Sequence, residues 1–340
     1  MKTFKFSLVA LVATALFTAC TNEAVVEPFN GKKGEAQEIS FRLQGGTPEI
    51  TTRSTATTLP YVDAFVVYGT DNVYGDASIF DGTTVSLDVN SDKFTYAPTR
   101  YYDFAATDAA FIAYSPASAK VTNATVANLW TVGASFDYTV PAPDNSGNTV
   151  QEDLLVASEE ITPIASTVNL QFEHALARIF VTATNSTKDP VFIDSLILKN
   201  LATTGTLEFD AASAYAWEWT NQTDVADYKY ILAPSGVAVD SMTTKKLVTT
   251  MEQGMMVLPQ ETLNSGDNTA FVAGDFALQV NYRFSNLGAQ VKYILIEDGF
   301  EFKPNEQYLI NIEFKGTAID FDITVRPFDA PVEVDPPTNP

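Results

Sequence analysis

The sequence has few of the side chains that most often perform catalysis or hold metals. It contains one cysteine, Cys20, and one histidine, His174, among 340 residues. No intramolecular disulfide can form, and a serine–histidine–aspartate triad would have to use His174. Zinc-type clusters and glycine-rich phosphate loops are absent, and no two of the many carboxylates stand out as a catalytic pair. We therefore expect no enzyme, no metal and no cofactor.

Positive charge is scarce as well. The chain has 20 lysines and arginines against 42 aspartates and glutamates, and its net charge is −22. A surface of this charge repels phosphate backbones and anionic lipid headgroups. Nucleic acid is therefore excluded as a partner.

Long apolar runs are missing except at the amino terminus. Lys2 and Lys5 form a short basic region before an apolar run over residues 6–17, which has the length of a signal-peptide core. This run is shorter than the roughly 20 residues that a membrane-spanning helix needs. Phe17-Thr18-Ala19-Cys20 resembles a lipobox. We expect residues 1–20 to be a lipoprotein signal and an acylated Cys20 to anchor the chain to the outer membrane. The alternative is an ordinary secretory signal with a coincidental cysteine.

The residues that are abundant favour β-structure. The chain contains 23 Phe and 14 Tyr, and 46% of its residues are hydrophobic. Short alternating runs are separated by Gly, Pro and Asn, which is typical of β-sandwiches. We predict a tether at 21–36, two β-sandwich domains at 37–165 and 166–328, and an acidic, proline-rich tail at 329–340.

The stretch from Thr167 to Thr182 begins the second of these domains in this interpretation. Val168, Leu170 and Phe172 alternate with polar residues, and after His174 the alternation slips by one position. Such a slip moves side chains to the opposite face of a strand. We therefore predict one long strand with a bulge or a single helical turn near His174.

Three segments resemble the fimbrillins, the lipoprotein subunits of surface fimbriae in anaerobic Gram-negative bacteria. They are Phe-x-His-Ala-Leu-Ala-Arg-Ile at 172–179, Phe-x-Ala-Tyr-Ser-Pro at 111–116 and Pro-Asn-x-x-Tyr at 304–308. The resemblance implies an all-β fold of two tandem transthyretin-like (Greek-key) β-sandwich domains. It also implies a structural or adhesive fimbrial subunit that partners other subunits at the cell surface. Because little sequence follows Val325, a tip, accessory or anchor role is favoured over a stalk role.

The resemblance further implies an assembly route. In this family an arginine-specific protease cuts near the position of Arg53, which would make Ser54 the new amino terminus. The cut would release an amino-terminal strand that guards a groove, and a strand from another subunit would then fill that groove. The alternating segment before Arg53 matches that guard strand, and it consists of Glu38, Ile39, Ser40, Phe41, Arg42 and Leu43. The alternative is that Arg53 is an ordinary loop arginine.

A rival function is a surface lipoprotein that binds glycans. Trp217 and Trp219 lie two residues apart, so a strand would present both indoles on one face, where they could stack on a sugar. Packing under a loop is the alternative for these rings. A host or bacterial surface ligand would be the partner. Asp-Ser-apolar tripeptides at Ser195 and Ser241 resemble O-glycosylation sites of the same bacteria.

Overall fold

The computed structural model describes residues 38–44, 62–73, 79–126, 128–141, 151–232, 236–249, 254–264, 270–285, 287–315 and 318–328. The signal at 1–20 with Cys20, the tether at 21–36, Arg53 with Ser54, and the tail at 329–340 lie outside these residues. The expectations stated for them remain predictions.

The described part of the amino-terminal half contains ten strands. They are β1 (Ser40–Leu43), β2 (Ala64–Asp71), β3 (Phe80–Asp88), β4 (Lys93–Thr95), β5 (Ala109–Ser115), β6 (Val121–Thr125), β7 (Gly133–Thr139), β8 (Leu155–Ile161), β9 (Thr167–Leu170) and β10 (Glu173–His174).

The described part of the carboxyl-terminal half contains twelve strands, with a 3₁₀ turn at Ala211–Ser213 after the second of them. They are β11 (Ala177–Asn185), β12 (Val191–Asp210), β13 (Ala216–Ile231), β14 (Val237–Val239), β15 (Thr243–Leu247), β16 (Met255–Val257), β17 (Gln260–Glu261), β18 (Ala277–Phe284), β19 (Gln290–Leu295), β20 (Glu301–Phe302), β21 (Glu306–Lys315) and β22 (Ala318–Pro327).

A six-stranded sheet in the order β10-β8-β5-β2-β3-β4 forms the frame of the amino-terminal half. Its central strands β2 and β5 are buried on both faces, which explains why their sequences are apolar without alternation. One face, with Phe65 and Phe111, packs into a first core; the other, with Val66 and Ile112, packs into a second core shared with the carboxyl-terminal half.

A seven-stranded sheet joins the two halves. Strand β7 of the amino-terminal half pairs with β12, from Thr139↔Thr204 to Gly133↔Asp210. Strand β12 also pairs with β13, β14 and β18, and β18 pairs with β19. The second core lies between this sheet and a five-stranded sheet in the order β15-β11-β21-β22, in which β16 also pairs with β11. The predicted all-β class built from β-sandwiches is confirmed, and the halves share a sheet and a core.

The interpretation of Thr167–Thr182 as one long strand is wrong. The stretch is divided among β9, β10 and β11, which pair respectively with β1, β8 and β21. Val168, Leu170 and Phe172 lie in the first core, whereas Ile179 and Val181 lie in the second. The chain thus passes from one core to the other around His174. A domain boundary between residues 165 and 166 stays a prediction.

Candidate functional site

Strand β1, together with Ile39 just before it, lies in a groove of the first core. Ile39 and Phe41 are 1% and 4% exposed, and Leu43 packs partly against the same cluster, while Ser40 and Arg42 face solvent. This is the alternation that the sequence predicts for the segment. Burying an isoleucine or phenylalanine side chain contributes about 1.5–3 kcal/mol each. The segment is therefore an integral part of the first core.

The centre of the groove is an aromatic pocket that receives the Phe41 ring. Its ring centroid lies 5.3–6.0 Å from those of four other rings, all in edge-to-face arrangement, contributed by Phe65, Phe80, Tyr96 and Phe111. This geometry places the positive edge of one ring on the negative face of another. The pocket is shaped for an aromatic side chain at the middle of an extended segment.

The walls of the groove supply backbone partners on both sides of β1. On one side β1 runs parallel to β9, with register from Ser40↔Thr167 to Leu43↔Leu170. On the other side the Ile39 amide donates to the Arg100 carbonyl at 3.2 Å, and the Tyr96 hydroxyl donates to the Ile39 carbonyl at 2.5 Å. Burial raises the pKa of Tyr96 above its ordinary value, which is itself well above neutral, so the hydroxyl is protonated and donates at neutral pH.

Strand β9 depends on β1 for its ladder. In the described residues these two strands form a sheet of their own, and β9 has no second ladder partner. Loss of β1 would leave β9 with an open edge beside an empty aromatic pocket. An open edge next to alternating pockets is the geometry that accepts an added strand.

Several residues of this groove could not be found from the sequence. Tyr96, Phe80 and the strand β9 carry no motif that links them to residues 38–43. Their only signal is that they are aromatic or alternating segments in the same half of the chain. The parallel pairing of β1 with β9, across an interval of 127 residues between Ser40 and Thr167, is set by the tertiary fold and by no local pattern in the sequence.

Trp217 and Trp219 lie outside this groove, in β13. Both indoles are half-buried and pack against the second core, and the Trp219 Nε1 donates to the Ala175 carbonyl at 2.7 Å. They also line an open cleft of about 760 Å³ together with residues from β17 and β20. The two rings thus pack on the core and also border a cavity, so features of both interpretations of the tryptophans, packing and exposure to a ligand, are present.

The other residues that the sequence singled out are His174, Ser195 and Ser241. His174 is 5% exposed, its Nδ1 lies 2.8 Å from Asp153 Oδ2, and its ring stacks on Phe328 with centroids 3.7 Å apart. Ser195 is 6% exposed and its Oγ accepts a hydrogen bond from Asn281 at 2.6 Å. Ser241 is exposed in a turn.

Within the described ranges, no group of three or more His, Cys, Asp or Glu side chains is arranged to hold a metal ion. The same ranges contain no helix with the length and hydropathy to cross a membrane.

The fold and the groove define a class, namely an all-β protein of packed sandwiches that seats an amino-terminal strand in its first core. The sequence model of the fimbrillin-like family matches residues 52–327. The chain therefore belongs to the fimbrillin-like family. Membership in this family indicates that the protein is a structural or adhesive component of fimbriae at the cell surface. It also favours a non-enzymatic role.

Solved structures share the fold. A fimbrial protein from Bacteroides vulgatus has a TM-score of 0.60 and 16% identity, covering 86% of this chain and 99% of that one. A candidate cell adhesion protein from Bacteroides uniformis has a TM-score of 0.51 and 16% identity, with the same coverage of 86% and 99%. A search of curated proteins finds no match.

Proposed function

We propose that this chain is a fimbrial subunit, exported as a lipoprotein through Cys20, that is assembled by β-strand addition at the groove of β1. The observation that carries the proposal is the placement of β1. Its Ile39 and Phe41 fill the first core, yet its backbone ladder is made with β9 alone apart from an isolated bridge between Glu38 and Tyr101. A strand held in this way closes a site that another strand can occupy.

Arg53 supplies the route for release. It follows β1 in the chain and precedes β2, so cleavage after Arg53 would separate residues 38–44 from every other strand of the first core. Ser54 would become the new amino terminus. The incoming strand would need apolar side chains at alternate positions, with an aromatic side chain in the middle to enter the Phe41 pocket.

A second copy of this chain carries one such sequence. Strand β22 contains Ile-Asp-Phe-Asp-Ile at 319–323, which repeats the apolar spacing of Ile-Ser-Phe-Arg-Leu at 39–43. It is an edge strand of the five-stranded sheet, and its Phe321 and Val325 are 41% and 48% exposed. We take a neighbour's β22 as the first candidate occupant. A subunit that accepts a strand without donating one would be a tip, and one that is never cut would be an anchor.

The test treats the lipidated, full-length protein with an arginine-specific protease, followed by amino-terminal sequencing and size analysis. We expect a new terminus at Ser54 and higher oligomers, and an Arg53→Ala variant that stays uncut and monomeric. Arg42 is the internal control, because its position in the β1–β9 ladder protects it from cleavage. A cut at Arg42, or a chain that stays uncut and anchored by Cys20, would remove the basis for processing at Arg53.

A further inference from the structure

The cleft beside Trp217 and Trp219 is a second site, separate from the β1 groove. One wall is β13 from Trp217 to Gln222, and the other is the short β17–β20 sheet with Pro259 and Gly299. Its volume of about 760 Å³ lies within the range of small-ligand pockets, which is roughly 300–1,000 Å³. None of the residues that line it belongs to the first core.

The walls of this cleft are fixed by hydrogen bonds. The Gln260 side chain accepts from the Ala202 amide at 2.9 Å and donates to the Leu258 carbonyl at 3.1 Å. Across the cleft, the Gln222 side chain donates to the Pro259 carbonyl. Gln222 is directed there by an irregularity in β13, where the register against β12 shifts and Asn221 has a φ of +47°. Irregularities of this kind re-aim side chains next to binding sites.

The two indoles are held as flat platforms at the cleft. The Trp219 ring lies against the β12 backbone, where a Cβ on Gly205 would come within 3.0 Å of its Cε3 atom. Its Nε1 bond to Ala175 fixes its rotation. Trp217 lies two residues earlier on the same strand face and is likewise half-buried. Each ring is therefore supported by protein and borders the cavity.

The polar side chains of the cleft determine which ligand fits. Glu218, Glu261 and Glu301 line it, and neither a lysine nor an arginine is among its described lining residues. Glu218 alternates with the two tryptophans along β13, so its side chain projects from the opposite strand face. In the described part of the chain, the Glu261 side chain forms no hydrogen bond or ion pair, so its oxygens can accept bonds from a ligand. Asn221 adds an amide that both donates and accepts. An anionic ligand would be repelled, whereas the hydroxyl groups of a neutral sugar would find acceptors above two stacking surfaces.

We propose that this cleft binds a neutral carbohydrate, which stacks on Trp217 and Trp219 and donates hydroxyl protons to Glu261. The site would give the subunit an adhesive function of its own. It does not depend on strand addition, because all of its walls are complete in the unprocessed chain.

The test measures binding to the unprocessed protein by titration calorimetry and tryptophan fluorescence. The probes are cellotriose, maltotriose, xylotriose and chitotriose, with sialyllactose and a heparin disaccharide as anionic controls and trilysine as a cationic control. We expect at least one neutral trisaccharide to bind and both anionic sugars to fail. Trp217→Ala and Glu261→Gln should each weaken that binding by roughly tenfold or more.

Matched variants separate binding from folding. Trp130→Phe changes an indole outside the cleft, and Glu173→Gln changes an exposed carboxylate on β10, so neither should alter affinity. Glu261 is exposed, so its glutamine variant keeps the fold if Trp217→Ala does not. The proposal is overturned if no neutral sugar binds, if binding survives both cleft variants, or if sialyllactose binds equally well. Trp217-dependent binding of trilysine alone would reassign the cleft to a cationic peptide.

Discussion

At the scale of single residues, Phe41 holds β1 in place. Its ring is surrounded by four aromatic rings and is 4% exposed, so truncation to alanine removes those contacts and leaves a cavity. We expect Phe41→Ala to lower the free energy of unfolding of the unprocessed chain by about 3–5 kcal/mol. Arg42→Ala, on the exposed face of the same strand, should change it by less than about 0.5 kcal/mol. Equal effects in urea unfolding would mean that β1 is not packed as described.

Gly133 is required where β7 meets β12. A Cβ on Gly133 would lie 1.7 Å from the Phe209 carbonyl oxygen, and its φ is +109°. Gly274 has nearly the same φ, +107°, but a Cβ there would meet nothing within 4 Å. Gly274→Ala therefore reports the backbone cost alone, about 1 kcal/mol. Gly133→Ala adds a clash with backbone and should cost about 3 kcal/mol or more in thermal unfolding. Similar costs for the two variants would contradict this geometry.

At the scale of elements, the sequence predicted strands well where burial produced a clear pattern. The apolar runs at 62–68 and 110–114 predict the buried strands β2 and β5, and the turn residues Ser91 and Asp92 between two strand-like segments predict the β3–β4 hairpin. Segments 276–282 and 292–297 likewise predict the hairpin of β18 with β19. The alternation of residues 38–43 also predicted β1 and the side chains it buries. These features depend on local periodicity, which a single sequence contains.

The failures occurred where a distant partner decides the local structure. Thr203-Thr204-Gly205 predicts a turn, yet it lies inside β12, a strand of 20 residues. Gly205 is in that strand because the Trp219 ring occupies the space beside its Cα. The division of the stretch around His174 likewise follows from packing into two cores. The cleft could not be predicted, because its two walls are separated by many residues and meet only in the fold.

The segment before β8 is joined to β16 by one side chain. Gln151 is 6% exposed, and its amide donates to the Met256 carbonyl at 3.1 Å and accepts from the Met256 amide at 2.8 Å. Gln151→Ala would leave both backbone groups buried without these partners. We expect a loss of about 2–4 kcal/mol in chemical unfolding, against a negligible change for the exposed Gln290→Ala. If Gln151→Ala is as mild as its control, water replaces the side chain and the joint is not structural.

At the scale of the whole molecule, buried tyrosines make stability sensitive to alkali. Burial raises the pKa of Tyr68 and of Tyr215 to about 12, and raises the pKa of Tyr138 and Tyr228 as well. In the unfolded chain these phenols ionise near their ordinary pKa of about 10. The unfolded state therefore gains charge first, so the stability from these groups is complete below about pH 10 and is lost above it.

We expect phenolate absorbance to rise in two stages on alkaline titration. Exposed tyrosines should ionise gradually, and the buried ones should follow in one cooperative step that coincides with the loss of β-sheet circular dichroism. Because β7 and β12 share a ladder across the two halves, both halves should unfold in that step. A gradual titration of all tyrosines, or two separate unfolding steps, would contradict a shared sheet and core.

Strand β1 fills a groove that another strand can take over, and hydrogen exchange at β9 reports whether that groove is filled. The exchange of the amide protons of Val168 and Leu170, the β9 residues whose backbone groups face β1, would be measured in the intact chain, after cleavage at Arg53, and after addition of a peptide spanning residues 318–327. We predict protected amides in the intact chain, fast exchange once β1 has left, and protection restored by the peptide but not by a version with Phe321→Asp. Amides of β9 that stay protected after β1 has been removed would contradict the account.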